Sequence, residues 1–173
     1  TVIFQKGRRS DIEKISQLSQ EIDSLSKSKA DLEEQLKNEI ASKEVSLSME
    51  DRGLVVTFLS EVLFDSGKAD IKQAAYNSLN KVASVLLDSA SGMEVGVEGH
   101  TDNEPIKYSG WKSNWDLSGA RAMSVLEHLI KKGVEPERLS FIGYGEFRPV
   151  ASNKTASGRQ KTQSFRRLTP SPF

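Results

Sequence analysis

The sequence predicts an α/β two-layer sandwich, with a mixed sheet and helices on one face, preceded by a long N-terminal helix. Residues 10–42 contain no glycine or proline and keep their apolar side chains at helical spacing. After residue 42 the spacing switches between the two-residue period of strands and the 3.6-residue period of helices. The elements follow in the order ββαβαβ, which favours helices packed against a sheet.

Residues 10–42 are predicted to be a helical stalk that forms a coiled coil, and residues 1–9 are expected to be a linker. A heptad frame places apolar residues at its a and d positions: Ile15, Leu18, Ile22, Leu25, Leu32 and Leu36. Lys29 interrupts this seam at an a position, which lowers stability but selects a dimer and its register. We therefore expect a homodimer through residues 10–42. The alternative is a single amphipathic helix lying on its own domain.

Residues 43–161 are predicted to be one globular domain. Two β-rich runs flank an Asp-Arg-Gly turn at 51–53 and predict a hairpin. Helical periodicity follows over residues 70–87, and again over residues 114–132, where Gly133 ends the helix. The strands are expected at 45–49, 54–59, 93–97 and 139–144.

Composition excludes several classes of function. Lys plus Arg and Asp plus Glu each number 24, so the chain lacks the basic excess of a nucleic-acid-binding protein. The absence of cysteine excludes disulfides and Cys-ligated zinc. His100 and His128 stand apart, so no metal or other cofactor is expected, and His100 is predicted to be structural. No G-x-S-x-G segment supports a serine hydrolase built on Ser109 or Ser113.

The loop between residues 99 and 115 is the candidate site. It follows a predicted strand and leads into a helix that Ser113 and Asp116 open as a capping box. The N-terminus of that helix favours a carboxylate, and Arg121 can add a bidentate contact to the same group. Asp102 would accept an ammonium. The pocket would then hold a ligand carrying both charges; the alternative is an internal Asp102–Arg121 salt bridge.

Several motifs resemble the OmpA-like peptidoglycan-binding domain, in the form found in MotB flagellar stator proteins. The resemblance runs over roughly residues 45–159, and its motifs appear in the family's order: F-D-S-G at 64–67, G-H-T-D at 99–102, L-S-G-A-R-A at 117–122 and N-x-T-x-x-G-R at 153–159. The N-E-P-I segment at 103–106 and S-N-W-D at 113–116 are closest to MotB.

The resemblance implies a site and a function. Asp102 and Arg121 would hold the zwitterionic end of diaminopimelate in the peptidoglycan stem peptide, and the amide of Asn114 would bond the peptide. The other residues carried over to the pocket are Asp65, Thr101, Asn103, Leu117 and Arg159. The implied function is non-catalytic anchoring of an envelope protein to the cell wall, in the periplasm or cell envelope of a diderm bacterium. A membrane anchor is then expected upstream of Thr1.

Two alternatives remain open at this point. One is a MotB-like flagellar stator subunit, and the other is a coiled-coil oligomeric scaffold in the envelope.

The resemblance also ends before the C-terminus, because residues 162–173 lack the family's final N-R-R motif and strand pattern. Pro170 and Pro172 cannot donate backbone hydrogen bonds, so this tail is predicted to form no regular strand.

Overall fold

The computed structural model describes residues 2–51, 53–106, 109–149, 154 and 164–170, with only the backbone described for 2–10 and 164–170. The helices are α1 (Val2–Gln35), α2 (Lys37–Ala41), α3 (Ser60–Leu63), α4 (Tyr76–Leu87) and α5 (Asn114–Lys131). The strands are β1 (Val45–Glu50), β2 (Gly53–Leu59), β3 (Met93–Gly99), β4 (Leu139–Gly143) and β5 (Ser164–Pro170). Short 3₁₀ turns lie at Gln73–Ala75 and Pro136–Arg138.

The five strands form one mixed sheet in the order β1-β2-β5-β3-β4. β1 and β2 form the predicted antiparallel hairpin, and β3 pairs with β4 in parallel. A single core cluster joins buried side chains of α1, α4 and α5 to those of β2 and β3. The predicted α/β sandwich with a long N-terminal helix is therefore confirmed.

The prediction for the tail is wrong over residues 164–170, which form β5 in the middle of the sheet. β5 runs antiparallel to both of its neighbours, pairing Phe165 with Phe58 of β2 and with Gly99 of β3. Two strands that both present backbone donors and acceptors outweigh the weak strand pattern of this segment. Pro170 is the last residue of β5, where its missing N–H interrupts the ladder least. Residues 162–163 and 171–173 lie outside the described part of the chain.

The two helices behind the site differ in how well their starts were predicted. α5 begins at Asn114 as expected, because the Ser113 hydroxyl accepts a hydrogen bond from the Asp116 backbone N–H. The helix predicted from residue 70 begins instead with the 3₁₀ turn at Gln73, and α4 follows it. Ile71 makes a β-bridge with Phe64, which keeps the residues before Gln73 extended.

The helix α1 begins at Val2, so residues 2–9 are helical and not the expected linker. This segment contains one glycine and no proline, and its lysine, arginines and glutamine are good helix formers. α1 ends at Gln35, and α2 continues the stalk to Ala41. The predicted stalk over residues 10–42 is therefore helical along nearly its whole length.

The predicted coiled-coil seam is divided between two environments. In its first half the apolar side chains are 57–67% exposed: Ile12, Ile15, Leu18 and Ile22. In its second half Leu25, Leu32 and Leu36 are buried in the core of the same chain. The prediction of a coiled coil that continues through Leu36 is therefore wrong, because the domain itself covers that part of the seam. The alternative of a helix packed on its own domain holds for this half.

A buried ion pair fixes the end of the stalk to α4. The Glu39 carboxylate accepts hydrogen bonds from the Ser78 hydroxyl at 3.0 Å and from the Lys81 ammonium at 2.6 Å. Burial alone would raise the pKa of Glu39. The hydrogen bonds from Lys81 and Ser78 lower this pKa by a larger amount. The net result is a pKa below the ordinary 4.5. The ionised carboxylate therefore stabilises the docked stalk.

Replacing Glu39 tests this pair. A folded-state pKa below 4.5 means that the contribution is complete well above pH 4.5 and is lost as the pH falls below that value. We expect Glu39→Gln to lower the free energy of unfolding at pH 7 by about 1–3 kcal/mol and to reduce its decline at acid pH. Urea unfolding between pH 3 and pH 7 measures both. The exposed Glu34→Gln is the control, and equal pH dependence in the wild type and Glu39→Gln would contradict the assignment.

Candidate functional site

The first turns of α5 lie directly on the ends of β3 and β4, because both contact points are glycines. A Cβ atom on Gly99 would overlap the carbonyl oxygen of Ser118. A Cβ atom on Gly143 would lie 2.5 Å from the backbone nitrogen of Gly119. Side chains at either strand position would force α5 away from the sheet. The N-terminus of α5 is therefore held beside the loop that leaves β3.

Hydrogen bonds join the loops after β3 and β4 to α5. The Gly145 N–H donates to the Ser118 hydroxyl at 2.9 Å, and the Thr101 N–H donates to the Gly145 carbonyl at 3.0 Å. The Tyr144 N–H donates to the Gly99 carbonyl at 2.9 Å. These bonds fix the backbone immediately before Asp102.

An open cleft of about 630 Å³ lies between this loop, α5 and the segment after α3. Its volume is in the range of small-ligand sites. Among the described residues, its charged side chains are two cations, Lys68 and Arg121, and two anions, Asp102 and Glu104. The remaining lining residues are Ser66, Gly67, Thr101, Pro105, Ile106, Ser109, Asn114 and Leu117. A cleft with both signs of charge suits a zwitterionic ligand.

The structure brings five of the eight predicted site residues to this cleft: Thr101, Asp102, Asn114, Leu117 and Arg121. Asn103 is exposed and is not among the lining residues. The exposed Asp65 lies one residue before the lining segment, and its carboxylate contacts Lys68 at 3.5 Å. Arg159 lies outside the described residues.

Arg121 forms one wall of the cleft and is 5% exposed. Its Nε donates to the Lys68 carbonyl at 2.8 Å, and its Nη2 donates to the Asp65 carbonyl at 3.2 Å. The guanidinium also lies 5.1 Å from the centre of the Phe64 ring. Burial lowers the pKa of Arg121 to about 10, against the opposing effect of the Asp102 charge. Arg121 therefore stays positively charged at neutral pH while holding the segment after α3 in place.

The opposite side of the cleft carries Asp102 and Thr101. The Asp102 Oδ1 accepts a hydrogen bond from the Glu104 N–H at 3.1 Å, which closes a tight turn. The Thr101 hydroxyl is buried and has no hydrogen-bond partner among the described residues.

The half-buried Asn114 side chain positions the loop from the side of the cleft. Its Nδ2 donates to the Glu146 carboxylate at 2.8 Å and to the carbonyls of Glu104 at 3.3 Å and Asp102 at 3.4 Å. The sequence predicts that this amide bonds the peptide ligand, whereas its N–H groups here face protein acceptors. Asn114 thus connects the site loop to the segment after β4.

One part of the cleft lining comes from residues that the sequence analysis placed in the candidate loop but did not name as site residues. They are Glu104, Pro105, Ile106 and Ser109. The Trp111 indole N–H donates to the Gly67 carbonyl at 2.8 Å, which ties this loop to the segment after α3. The one available signal was the length of the connection between residues 99 and 115, since long ordered loops are often functional.

His100 has the structural position that the sequence predicts. Its Nδ1 lies 2.8 Å from the Arg148 carbonyl, so that nitrogen carries the proton and donates. Its Nε2 lies 3.7 Å from the buried Glu98 carboxylate.

Within the described residues, no group of three or more His, Asp or Glu side chains has an arrangement suited to a metal ion. The helices of the described segments also include none with the length and apolar character to cross a membrane.

Comparisons with known proteins agree with the fold and the cleft described above. The signature of the OmpA family matches residues 63–163, which include the whole described cleft. The chain belongs to the OmpA family. Motility protein B of Bacillus subtilis (strain 168) is 36% identical to it over 136 residues, covering 78% of this chain and 52% of that protein. The chain spans about half the length of the first curated relatives it matches.

Solved structures share the fold of this OmpA family domain. The cell wall anchor of the T6SS from Pseudomonas aeruginosa superposes with a TM-score of 0.72 and 29% identity, covering 81% of this chain and 96% of that one. A putative MotB-like protein from Desulfovibrio vulgaris superposes with a TM-score of 0.79, covering 88% and 94%. Its 20% identity supports the shared fold alone.

Alanine substitutions at two glycines test the contact between α5 and the sheet. We expect Gly143→Ala to lower the free energy of unfolding by about 1–3 kcal/mol, because the added methyl group must displace the backbone of α5. Gly119→Ala, on the helix side of the contact, meets nothing within 4 Å and should raise stability by up to about 1 kcal/mol. Urea unfolding measures both. Equal effects of the two substitutions would contradict the contact.

Proposed function

We propose that this domain binds peptidoglycan without catalysing a reaction, through the diaminopimelate residue of the stem peptide. The observation that carries the proposal is one cleft lined by Asp102 and Arg121, at the N-terminus of α5. Its role would be to anchor an envelope protein to the cell wall. The resemblance of its motifs to the OmpA-like peptidoglycan-binding domain supports this choice of ligand.

The free end of diaminopimelate carries an ammonium and a carboxylate on one carbon, which the charges of the cleft complement. The carboxylate would meet Arg121 and the positive end of the α5 dipole. The ammonium would meet Asp102, and the buried Thr101 hydroxyl would gain a partner. Because Arg121 is almost fully buried, its interaction with a bound carboxylate is screened little by solvent.

The relatives support anchoring in the cell envelope. One structural neighbour is described as the cell wall anchor of the T6SS, and Escherichia coli YiaD, 34% identical over 141 residues, is described as a probable lipoprotein. Non-catalytic binding is consistent with the cleft. Arg121 positions the segment after α3, and the charges of the cleft complement those of a zwitterionic ligand.

A role in a flagellar stator is the second candidate, favoured by the similarity to Motility protein B of Bacillus subtilis. The two candidates share the same wall-binding step and differ in what the anchor holds. Deleting the gene in its source bacterium separates them: loss of motility with an intact envelope supports the stator. An envelope defect with normal motility supports general anchoring.

Substitutions that keep side-chain shape test the cleft. We expect Asp102→Asn and Arg121→Lys each to weaken binding of a diaminopimelate-containing stem tripeptide by about 1.5–3 kcal/mol. Asp102→Asn removes the negative charge that meets the ammonium, whereas Arg121→Lys keeps the positive charge but loses the bidentate geometry of the guanidinium. Isothermal titration calorimetry measures the affinity. Asp88→Asn is the control, because Asp88 is exposed at the end of α4 and is not among the lining residues. Unchanged affinity in both cleft variants, with the fold intact by circular dichroism, would refute the proposal.

We also propose that the chain forms a homodimer through the exposed stripe of α1, made of Ile12, Ile15, Leu18 and Ile22. These side chains follow one face of the helix and are more than half exposed. Monomeric proteins seldom leave such a continuous apolar stripe in water. The domain covers the rest of the seam, so the proposed pairing is shorter than the sequence predicts.

A single charge on the stripe tests the dimer. Ile15→Asp should convert a dimer to a monomer in analytical ultracentrifugation, because pairing would bury the new carboxylate. Gln20→Asp adds the same charge on the opposite face of the helix and should leave the dimer intact. A wild-type chain that stays monomeric at high concentration would exclude this interface.

A further inference from the structure

Two aromatic side chains are stacked on each other at the surface beside the cleft. The rings of Trp115 and Phe147 lie 5.2 Å apart between centroids, with 21° between their planes. Trp115 is 50% exposed and Phe147 is 63% exposed, although their burial would remove much apolar area from water. The two rings are therefore packed against each other but remain exposed to solvent.

The aromatic pair is held in place by the groups that build the rim of the cleft. Trp115 follows Asn114, and Phe147 follows Glu146, and the Asn114 amide donates to the Glu146 carboxylate at 2.8 Å. A Cβ atom on Gly145 would lie 3.4 Å from the Trp115 ring, so the backbone of this segment packs against the indole. The aromatic surface and the cleft therefore share one rigid support.

We propose that Trp115 and Phe147 form a stacking surface for a sugar ring of the glycan strand, in the same ligand whose peptide enters the cleft. This inference rests on the proposed function. A sugar ring in the chair form presents a flat face of C–H groups that matches the face of an aromatic ring in size.

The length of the ligand agrees with this placement. The stem peptide is joined to the sugar through its first residue, and diaminopimelate is its third residue. Three extended residues span at most about 10 Å. Trp115 is the neighbour of the lining residue Asn114, and consecutive Cα atoms are about 3.8 Å apart. A sugar attached to a peptide in the cleft therefore falls within reach of the aromatic pair.

The size of the surface favours a sugar over a protein partner. Two side chains cover one sugar ring, whereas a stable protein interface buries about 800 Å² on each partner. The exposed stripe of α1 lies on a different element, so the aromatic pair is not a continuation of that surface. Pairing with a second copy of the chain is nevertheless a distinct outcome of the test.

Calorimetry with two ligands and the full chain tests the inference. The ligands are the free stem tripeptide and the same tripeptide attached to its disaccharide. We expect the wild type to bind the disaccharide ligand about tenfold more tightly, the gain of one or two aromatic contacts. Trp115→Ala and Phe147→Ala should remove most of that gain and change tripeptide affinity less than twofold. Phe141→Ala, which removes an exposed aromatic ring from β4, should change neither affinity.

The outcomes separate this inference from the proposed function. Normal tripeptide binding with no gain from the disaccharide overturns the sugar surface alone. Equal weakening of both ligands by Trp115→Ala also overturns it, because the ring would then support only the cleft. A change of oligomeric state in Trp115→Ala, seen by ultracentrifugation, assigns the pair to self-association instead. A wild type that binds neither ligand overturns the proposed function, and the sugar surface with it.

Discussion

The site depends on the close contact between α5 and the ends of β3 and β4. Only glycine at positions 99 and 143 lets the helix backbone approach this near. That approach puts the N-terminus of α5 beside the turn that carries Asp102, and it places Arg121 across the cleft. The hydrogen bond from the Gly145 N–H to the Ser118 hydroxyl then fixes the next loop to the same helix. The positions of the charged groups are therefore set by backbone packing and not by flexible side chains.

The charged and polar groups of the site have divided roles. Arg121 holds two carbonyls of the segment after α3 while keeping its positive charge near the cleft, so one side chain has a structural role and the proposed binding role. The side-chain N–H groups of Asn114 donate to protein acceptors and keep the turn at Asp102 in place. Away from the site, the Glu39–Lys81 pair holds the stalk on α4, and the first half of the stalk is left with an exposed apolar stripe. The proposed binding and the proposed self-association thus fall on separate parts of the chain.

Local patterns in the sequence predicted most elements of the fold and the central residues of the site. Apolar periodicity located the hairpin, α5 and both parallel strands, and the capping residues placed the start of α5 at Asn114. The strand β5 was missed because its stability comes from pairing with two strands that are distant in sequence. The division of the α1 seam was missed for a similar reason, since a heptad pattern does not reveal whether another chain or the same domain covers it. The wall that Glu104, Pro105, Ile106 and Ser109 contribute depends on loop geometry, and the sequence indicates only the length of this loop.

The structure of the chain with a diaminopimelate-containing stem tripeptide bound is the most direct test of the central claim. We expect the ligand carboxylate within about 3 Å of the Arg121 guanidinium, and the ammonium at a similar distance from the Asp102 carboxylate. Both groups should belong to the same end of diaminopimelate, beside the N-terminus of α5. A tripeptide bound outside the cleft, or bound with this end turned away from Asp102 and Arg121, would contradict the assignment.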